Sequence, residues 1–364
     1  MMRRNRAKKL TEEEMKNKWA GRMATCWMLR RLWPMAIASV FLVSASAAGW
    51  WPGNEPIKLL VGSSPGDETD NLARALADQM SRRLRHPVVV ENVVGANGVQ
   101  AAQKVLAAEP DGQTLLFGGT SDMVAAPLSG PQAGYQPGDF TPIAKISSAP
   151  LVLVARPRLW GRAFNEAMAT AKTRPQTLTI GATYERSLPS LAASAFLRAT
   201  GVEMTLMPYR GSHSLLEDLS CGRVDLAVLT LPEVLRHARA GKVHVVGVMA
   251  PDRLAVAPEF PTLSETYPKW GVSMKAWLGL AGPPGLPKSV VARINQVANE
   301  VLSDPEFQAA RREEGSTLET PMSSTDFGQF IESEVLSYGD IYTVVSRSAR
   351  RSPRPRRCEC GFRY

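Results

Sequence analysis

Residues 57–92 constrain the fold most, because they contain a strand, a loop and a helix in immediate succession. Residues 57–61 are apolar at four of five positions and predict a buried strand, and the small residues of 62–67 predict a loop. Such a loop directs the free N–H groups of the following helix at whatever lies beyond the end of the strand. Open α/β sheets bind their ligands at that position, so the segment predicts a ligand-binding edge.

The helix of this unit has one apolar face. Its apolar residues recur every four positions, at Leu72, Leu76, Met80 and Leu84. Pro87 ends the helix, and residues 88–90 begin a second strand. The unit is therefore a strand, a crossover helix and a neighbouring strand.

Strand and helix patterns continue to alternate along the chain. Further strands are predicted at 114–117, 151–155, 178–181, 204–209, 226–229, 243–249 and 277–281. Further helices are predicted at 98–108, 164–172, 189–200, 213–219, 232–240, 288–303, 305–313 and 326–336. This alternation predicts an α/β fold with mainly parallel sheets that carry helices on both faces.

Two segments, 141–155 and 275–284, have the composition of crossings between domains. Two crossings predict a discontinuous first domain, formed by residues 48–150 and 277–343. The second domain, residues 151–276, is then inserted into the first. A cleft between the two domains follows from this arrangement.

The net charge of +9 comes from the two ends of the chain. Residues 1–47 carry a net charge of +7 and residues 346–364 carry +6, which leaves −4 on residues 48–345. The basic total therefore gives no support to a nucleic-acid partner. Residues 344–364 are rich in Arg, Ser and Pro without apolar periodicity, and we expect a basic disordered tail there.

The basic N-terminal segment is typical of an export signal. Arg30 and Arg31 precede an apolar run at 32–43, and Ala45-Ser46-Ala47 follows as a cleavage triplet. The run is short for a membrane span and contains Pro34. We expect export to the periplasm with cleavage near Ala47, after an unusually long n-region in which Met23 or Met28 is an alternative start.

The reactive residues favour neither a metal site nor an enzyme. Cys221 is the one cysteine of residues 48–345, so an internal disulfide is excluded there. The four histidines show no metal-ligand spacing, and no nucleophile or phosphate-loop motif is present. We expect no cofactor and no metal, and an enzyme remains a remote alternative.

Seven segments together resemble the substrate-binding proteins of tripartite tricarboxylate transporters, also called the Bug family. They lie at 56–74, 87–105, 110–121, 207–228, 238–248, 260–265 and 277–296. The resemblance covers about residues 52–340 and implies a two-lobed periplasmic-binding-protein fold of the Venus flytrap type. It implies a monomer that captures a small carboxylate or amino-acid-like ligand and delivers it to membrane permease subunits without chemistry. A binding protein that reports its ligand to a signalling system is the alternative.

The resemblance also implies the ligand-binding residues. In the first domain these are Ser63, Ser64, Gly66, Asp67, Thr69, Asp70, Gly119, Thr120 and Ser121. In the inserted domain they are Thr183, Tyr184, Arg186, Ser187, Tyr209 and Arg210. Hydroxyl and backbone N–H groups suit a carboxylate because they donate hydrogen bonds to it. The same residue types also form turns and helix caps, and that alternative stays open.

Three departures from the family pattern bear on the ligand. Asp67 replaces a glycine and Glu68 follows it, so these side chains either cap the helix or face the cleft and favour an amine-bearing ligand. The loop of Arg186 lacks two glycines and a histidine, and Arg186 either binds a carboxylate or is solvated. Leu229 or Thr230 stands where the family has an aspartate, which removes a polar group.

Overall fold

The computed structural model describes residues 55–184, 187–268, 273–314 and 317–349. The strands are β1 Ile57–Val61, β2 Val88–Asn92, β3 Thr114–Gly119, β4 Thr141–Ala155, β5 Thr179–Thr183, β6 Thr205–Tyr209, β7 Leu226–Thr230, β8 His244–Val248, β9 Lys275–Gly282 and β10 Thr317–Leu318. The α-helices of four or more residues are α1 Glu68–Leu84, α2 Val99–Leu106, α3 Arg162–Thr173, α4 Leu188–Thr200, α5 Ser212–Ser220, α6 Leu231–Arg239, α7 Leu263–Thr266, α8 Lys288–Leu302, α9 Pro305–Glu313 and α10 Ser324–Ala349.

The strands form two sheets that share β4. In the first sheet β2, β1 and β3 are parallel, with Leu59 beside both Val90 and Leu115. Strand β9 follows β3 in antiparallel register, and β4 pairs with β9. In the second sheet β6, β5 and β7 are parallel, while β4 runs antiparallel to β7 and to β8. The α/β class is confirmed, and the antiparallel β4 and β9 make both sheets mixed.

Strand β4 passes from one sheet to the other without a break. Its residues 141–150 pair with β9, its residues 151–155 pair with β7, and its residues 152–155 also pair with β8. The chain returns at Met274, whose N–H donates to the Met249 carbonyl at 3.0 Å and whose carbonyl accepts from the Leu151 N–H at 3.0 Å. Two connections therefore join the sheets, as a two-lobed fold requires.

The predicted helix after β1 is confirmed as α1. Leu72, Leu76 and Met80 are buried on its inner face, next to fully buried β1 residues. The helix ends at Leu84 and is capped by Arg85, whose φ of 52° is left-handed, and Pro87 follows two residues after Arg85. This geometry fixes where the loop between β1 and α1 meets the edge of the sheet.

The long C-terminal helix α10 corrects one prediction. We expected the domain to end at residue 343 and a disordered tail to begin at 344, but the helix continues to Ala349. No proline interrupts the segment from 324 to 349, and apolar residues recur through it, so helix formation has no local obstacle. Residues 350–364 and the predicted signal segment lie outside the described residues.

Helix α10 holds the strands that cross between the sheets. The ring of Phe327 lies 5.5 Å from that of Trp277 on β9 in an edge-to-face contact. The Trp277 indole N–H donates to Glu334 at 3.1 Å, and the Tyr338 hydroxyl donates to the Lys275 carbonyl at 2.9 Å.

Within the described ranges, no helix is long and apolar enough to cross a membrane.

Candidate ligand-binding cleft

A cavity of about 140 Å³ lies where the ends of β1 and β3 meet the ends of β5 and β7. Eight of the predicted site residues line it: Ser63, Asp67, Thr69, Gly119, Thr120, Ser121, Thr183 and Tyr184. Both lobes therefore contribute to one polar cleft. It is smaller than the roughly 300–1,000 Å³ typical of drug-sized sites, which suits a small ligand.

Asp67 occupies the N-cap position of α1, but its side chain makes no capping hydrogen bond. Its carboxylate accepts a hydrogen bond from the Ser64 N–H at 3.2 Å and lines the cavity. Burial raises the pKa of Asp67, and the charge of Asp70 adds to the rise, while the Ser64 N–H and His213 oppose it. Asp67 is thus a cleft residue.

Asp70 and Gly66 lie behind the cleft and stabilise the loop. The Asp70 carboxylate accepts from the Gly66 N–H at 2.8 Å, from Arg74 Nε at 2.9 Å and from Asn92 Nδ2 at 2.8 Å. Burial opposes its ionisation, but these donors hold the pKa of Asp70 below its ordinary value. The network joins α1 to β2 and holds the loop in place. Ser64 contributes its N–H to Asp67 and does not line the cavity.

The loop after β3 is packed too tightly for side chains at its glycines. A Cβ atom on Gly119 would lie 1.7 Å from the Trp277 carbonyl oxygen, so only glycine fits there. The Gly119 N–H donates to the Asp122 carboxylate at 2.6 Å. Burial raises the pKa of Asp122 to about 6, although backbone N–H groups of Gly119, Asp122 and Met123 oppose the rise.

In the second lobe, the chain turns at Tyr184 with a left-handed φ of 53°. Its N–H donates to the Tyr209 carbonyl at 2.6 Å. Its hydroxyl is buried and has no hydrogen-bond partner within the described residues, as is also true of Ser63 Oγ and Asn97 Nδ2. All three residues line the cavity. Buried polar atoms without partners are rare, so these three are available to a ligand.

Three other predicted residues of the second lobe lie away from this cavity. Ser187 caps α4, accepting from the Ser190 N–H at 3.2 Å. The Tyr209 hydroxyl donates to Asp218 at 2.8 Å, and burial together with that carboxylate raises the pKa of Tyr209 to about 12. Arg210 lines a neighbouring cavity of about 650 Å³ that Tyr184 also borders. Arg186 lies outside the described residues.

Glu233 is the most important cleft residue that the sequence analysis missed. It accepts hydrogen bonds from the Thr230 N–H at 2.7 Å and the Thr230 hydroxyl at 2.8 Å, in a capping box at the start of α6. Burial raises the pKa of Glu233, and the charge of Asp67 adds to the rise. The hydrogen bonds from Thr230 and from the Ser212 hydroxyl oppose it. The T-x-x-E pattern after a predicted strand is the signal that places this carboxylate at the strand end. The second lobe therefore does contribute a carboxylate to the cleft, although we expected that Leu229 or Thr230, in place of the family aspartate, would remove a polar group there.

Further polar residues of the lining that the sequence analysis did not predict as site residues are Asn97, Asp122, Ser147, Ser212 and Thr230. Asn97 belongs to a tight turn, at a left-handed φ of 59°, between β2 and α2. The acidic residues of the lining are Asp67, Glu68, Asp122 and Glu233, and among described residues no Lys, Arg or His lines this cavity. The cleft thus combines neutral donors with a negative charge.

Two mixed sheets joined by two crossings around a polar cleft define a two-lobed solute-binding protein. The family model for the tripartite tricarboxylate transporter family receptor, TctC, matches residues 72–345, and the chain belongs to that family. Protein BugT of Bordetella pertussis is 30% identical over 303 residues, which cover 80% of this chain and 92% of BugT.

Solved structures agree with this assignment. One is described as R. palustris Rpa4515 with adipate, at a TM-score of 0.76 and 28% identity, covering 81% of this chain and 98% of that chain. Another is MatC from Rhodopseudomonas palustris with bound malate, at a TM-score of 0.73 and 27% identity. The match covers 79% of this chain and 99% of that chain. The protein is a solute-binding receptor of the TctC family.

Proposed function

We propose that the protein captures a small organic carboxylate in the cleft and delivers it to the permease subunits of a tripartite transporter. The observation that carries this proposal is a set of buried polar groups from both lobes that have no partner among the described residues: Ser63 and Asn97 on one side and Tyr184 on the other. Hydroxyl and amide donors of this kind suit a carboxylate. The adipate and malate named for the two related structures support the same ligand class.

The remaining parts of the proposal concern the whole chain. The first lobe comprises residues 48–150 and the segment from 277 to the end of α10 at Ala349, and the second lobe comprises residues 151–276. The cleft between them closes on its ligand without chemistry. The family membership supports a binding role. Export to the periplasm follows from the signal-like segment that ends near Ala47. The mass of the secreted protein, measured after expression with its own N-terminus, tests that cleavage site.

A thermal-shift screen tests ligand binding. A ligand that binds only the native state raises the melting temperature by mass action. We expect at least one small carboxylate or amino acid to stabilise the purified protein at millimolar concentration. If none does, the protein is not a receptor for this ligand class.

Arg186 remains a proposed carboxylate ligand on the sequence evidence. Replacing it by Gln removes a bidentate charged donor, and we expect affinity for the stabilising ligand to fall about tenfold. Arg162→Gln is the matched control, because the Arg162 side chain is 92% exposed on α3. Equal affinities for the two variants would remove Arg186 from the site.

A further inference from the structure

The cleft has a carboxylate on each side. Asp67 reaches it from the start of α1 in the first lobe, and Glu233 reaches it from the start of α6 in the second lobe. Asp67, Glu233 and Tyr184 all line this one cavity. The charge of Asp67 acts on Glu233, and the charges of both carboxylates act on Tyr184. Two negative groups that converge from opposite lobes need a positive partner when the cleft closes.

In the part of the chain that the structure describes, no Lys or Arg is paired with these carboxylates. Within the described ranges, neither Asp67 nor Glu233 forms an ion pair with Lys or Arg, and their hydrogen-bond donors are the neutral groups of Ser64, Thr230 and Ser212. His213 also acts on Asp67, but its side chain is 85% exposed and its Nε2 lies 3.5 Å from the Glu217 carboxylate. Burying a charge without a partner is unfavourable, and an ammonium group would remove that cost.

Independent of the acidic pair, the cavity contains donors for a carboxylate. The Oγ of Ser63 and the Nδ2 of Asn97 are buried and unpartnered among the described residues, and both come from the first lobe. The Tyr184 hydroxyl, which also has no hydrogen-bond partner among the described residues, lines the same cavity as the two carboxylates. One cavity therefore provides neutral hydrogen-bond donors and negatively charged acceptors. Such a cavity complements a molecule that carries one carboxylate and one ammonium group.

We propose that the ligand is a small amino acid, whose ammonium group is held between the carboxylates of Asp67 and Glu233 and whose carboxylate binds Ser63 and Asn97. This inference rests on the proposed function and names the ligand class of the same cleft. The ammonium attracts a carboxylate of each lobe at once, so it favours the closed form. A dicarboxylate of the same size places a second negative charge against this pair and binds weakly.

Pairs of small acids that differ in an amino group test the inference: succinate and aspartate, propionate and β-alanine, butyrate and γ-aminobutyrate. Melting temperature and calorimetric affinity are measured for the purified protein with each. We expect a member with an amino group to bind at least about tenfold more tightly than its partner, the size of a charge-assisted hydrogen bond. Asp67→Asn and Glu233→Gln should each remove most of that preference.

Asp78→Asn is the matched control, because Asp78 is an exposed carboxylate on the same helix as Asp67. Asp67→Gly introduces the family residue and serves if the Asn variant does not fold. If the diacid or plain acid of every pair binds more tightly, the inference fails while the proposed function stands. Stabilisation by CaCl2 alone, to the same extent as by the acids, would also overturn it. If no acid of either kind binds, the proposed function itself fails.

Discussion

The Oγ1 atom of Thr120 accepts a hydrogen bond from the backbone N–H of Trp277 at 2.9 Å and thereby joins the loop after β3 to strand β9. Thr120 is 1% exposed, and both residues line the cleft. The hydroxyl that the family resemblance implies for ligand binding therefore has a structural function as well. It satisfies a buried donor next to one of the two crossings between the lobes.

Thr120→Val should destabilise the protein, because it keeps the side-chain shape and leaves the buried Trp277 N–H without an acceptor. We expect the free energy of unfolding to fall by about 1–3 kcal/mol, measured by denaturant titration. Thr120→Ser keeps an acceptor and should retain most of the stability. A Val variant with unchanged stability but lost ligand affinity would show that the hydroxyl serves the ligand alone.

Much of the fold could be predicted from local patterns. The apolar periodicity of α1, with Pro87 after it, defines the first strand–helix–strand unit, and the structure confirms it. The antiparallel direction of β9 could not be predicted this way, because a short buried strand has the same apolar composition in either direction. The end of α10 was also missed, since apolar content alone does not separate a solvated helix from a disordered tail.

The site was predictable where a loop follows a strand and less so elsewhere. Ser63 and Thr183 follow or end strands, and both line the cleft. Asp70 was indistinguishable from Asp67 in sequence, because both flank the helix start, yet only the structure shows which one faces Arg74 and Asn92. Glu233 was missed because it lies on a helix, one turn beyond the strand end.

Asp122 should make stability depend on pH in an unusual direction. Its pKa is about 6 in the folded protein against 3.8 for the ordinary group, so the native state holds its proton more tightly. Stability from this group is present below about pH 3.8 and is lost as pH rises through about 6. As the pH rises from about 3.8 to about 6, the free energy of unfolding of the wild type should fall by up to about 3 kcal/mol relative to that of Asp122→Asn.

Denaturant titrations at several pH values check the Asp122 effect. Asp78→Asn controls for the loss of one negative charge at an exposed position. If the difference between wild type and Asp122→Asn stays constant from pH 3.8 to about 6, the carboxyl of Asp122 does not titrate in that window.

Asp70 should change the free energy of unfolding with pH in the direction opposite to Asp122. Its pKa is lowered, so its stabilisation is present above the unfolded value of 3.8 and is lost as pH falls through the folded value. Asp70→Asn should lower the free energy of unfolding by about 1–3 kcal/mol at neutral pH, because the hydrogen bonds from Gly66 and Arg74 weaken. The deficit should shrink in acid. A deficit independent of pH would mean that packing, and not charge, accounts for the effect.

The hydroxyl of Tyr184 should matter to the ligand and not to the empty protein. It is buried and has no hydrogen-bond partner among the described residues, so Tyr184→Phe removes an unsatisfied donor. The free energy of unfolding should stay unchanged or rise by up to about 1 kcal/mol. Ligand affinity should fall about tenfold, because the charged group of the ligand loses its hydrogen bond from the Tyr184 hydroxyl. Denaturant titration without ligand and calorimetry with ligand separate the two effects.

Tyr209→Phe is the matched control for Tyr184→Phe. The Tyr209 hydroxyl donates to Asp218 at 2.8 Å and does not line the cavity. Its loss should lower stability by about 1 kcal/mol and leave ligand affinity unchanged. The opposite pattern, with Tyr184→Phe unstable and still binding, would assign the Tyr184 hydroxyl a structural function. The cleft would then depend on Ser63 and Asn97 for its buried donors.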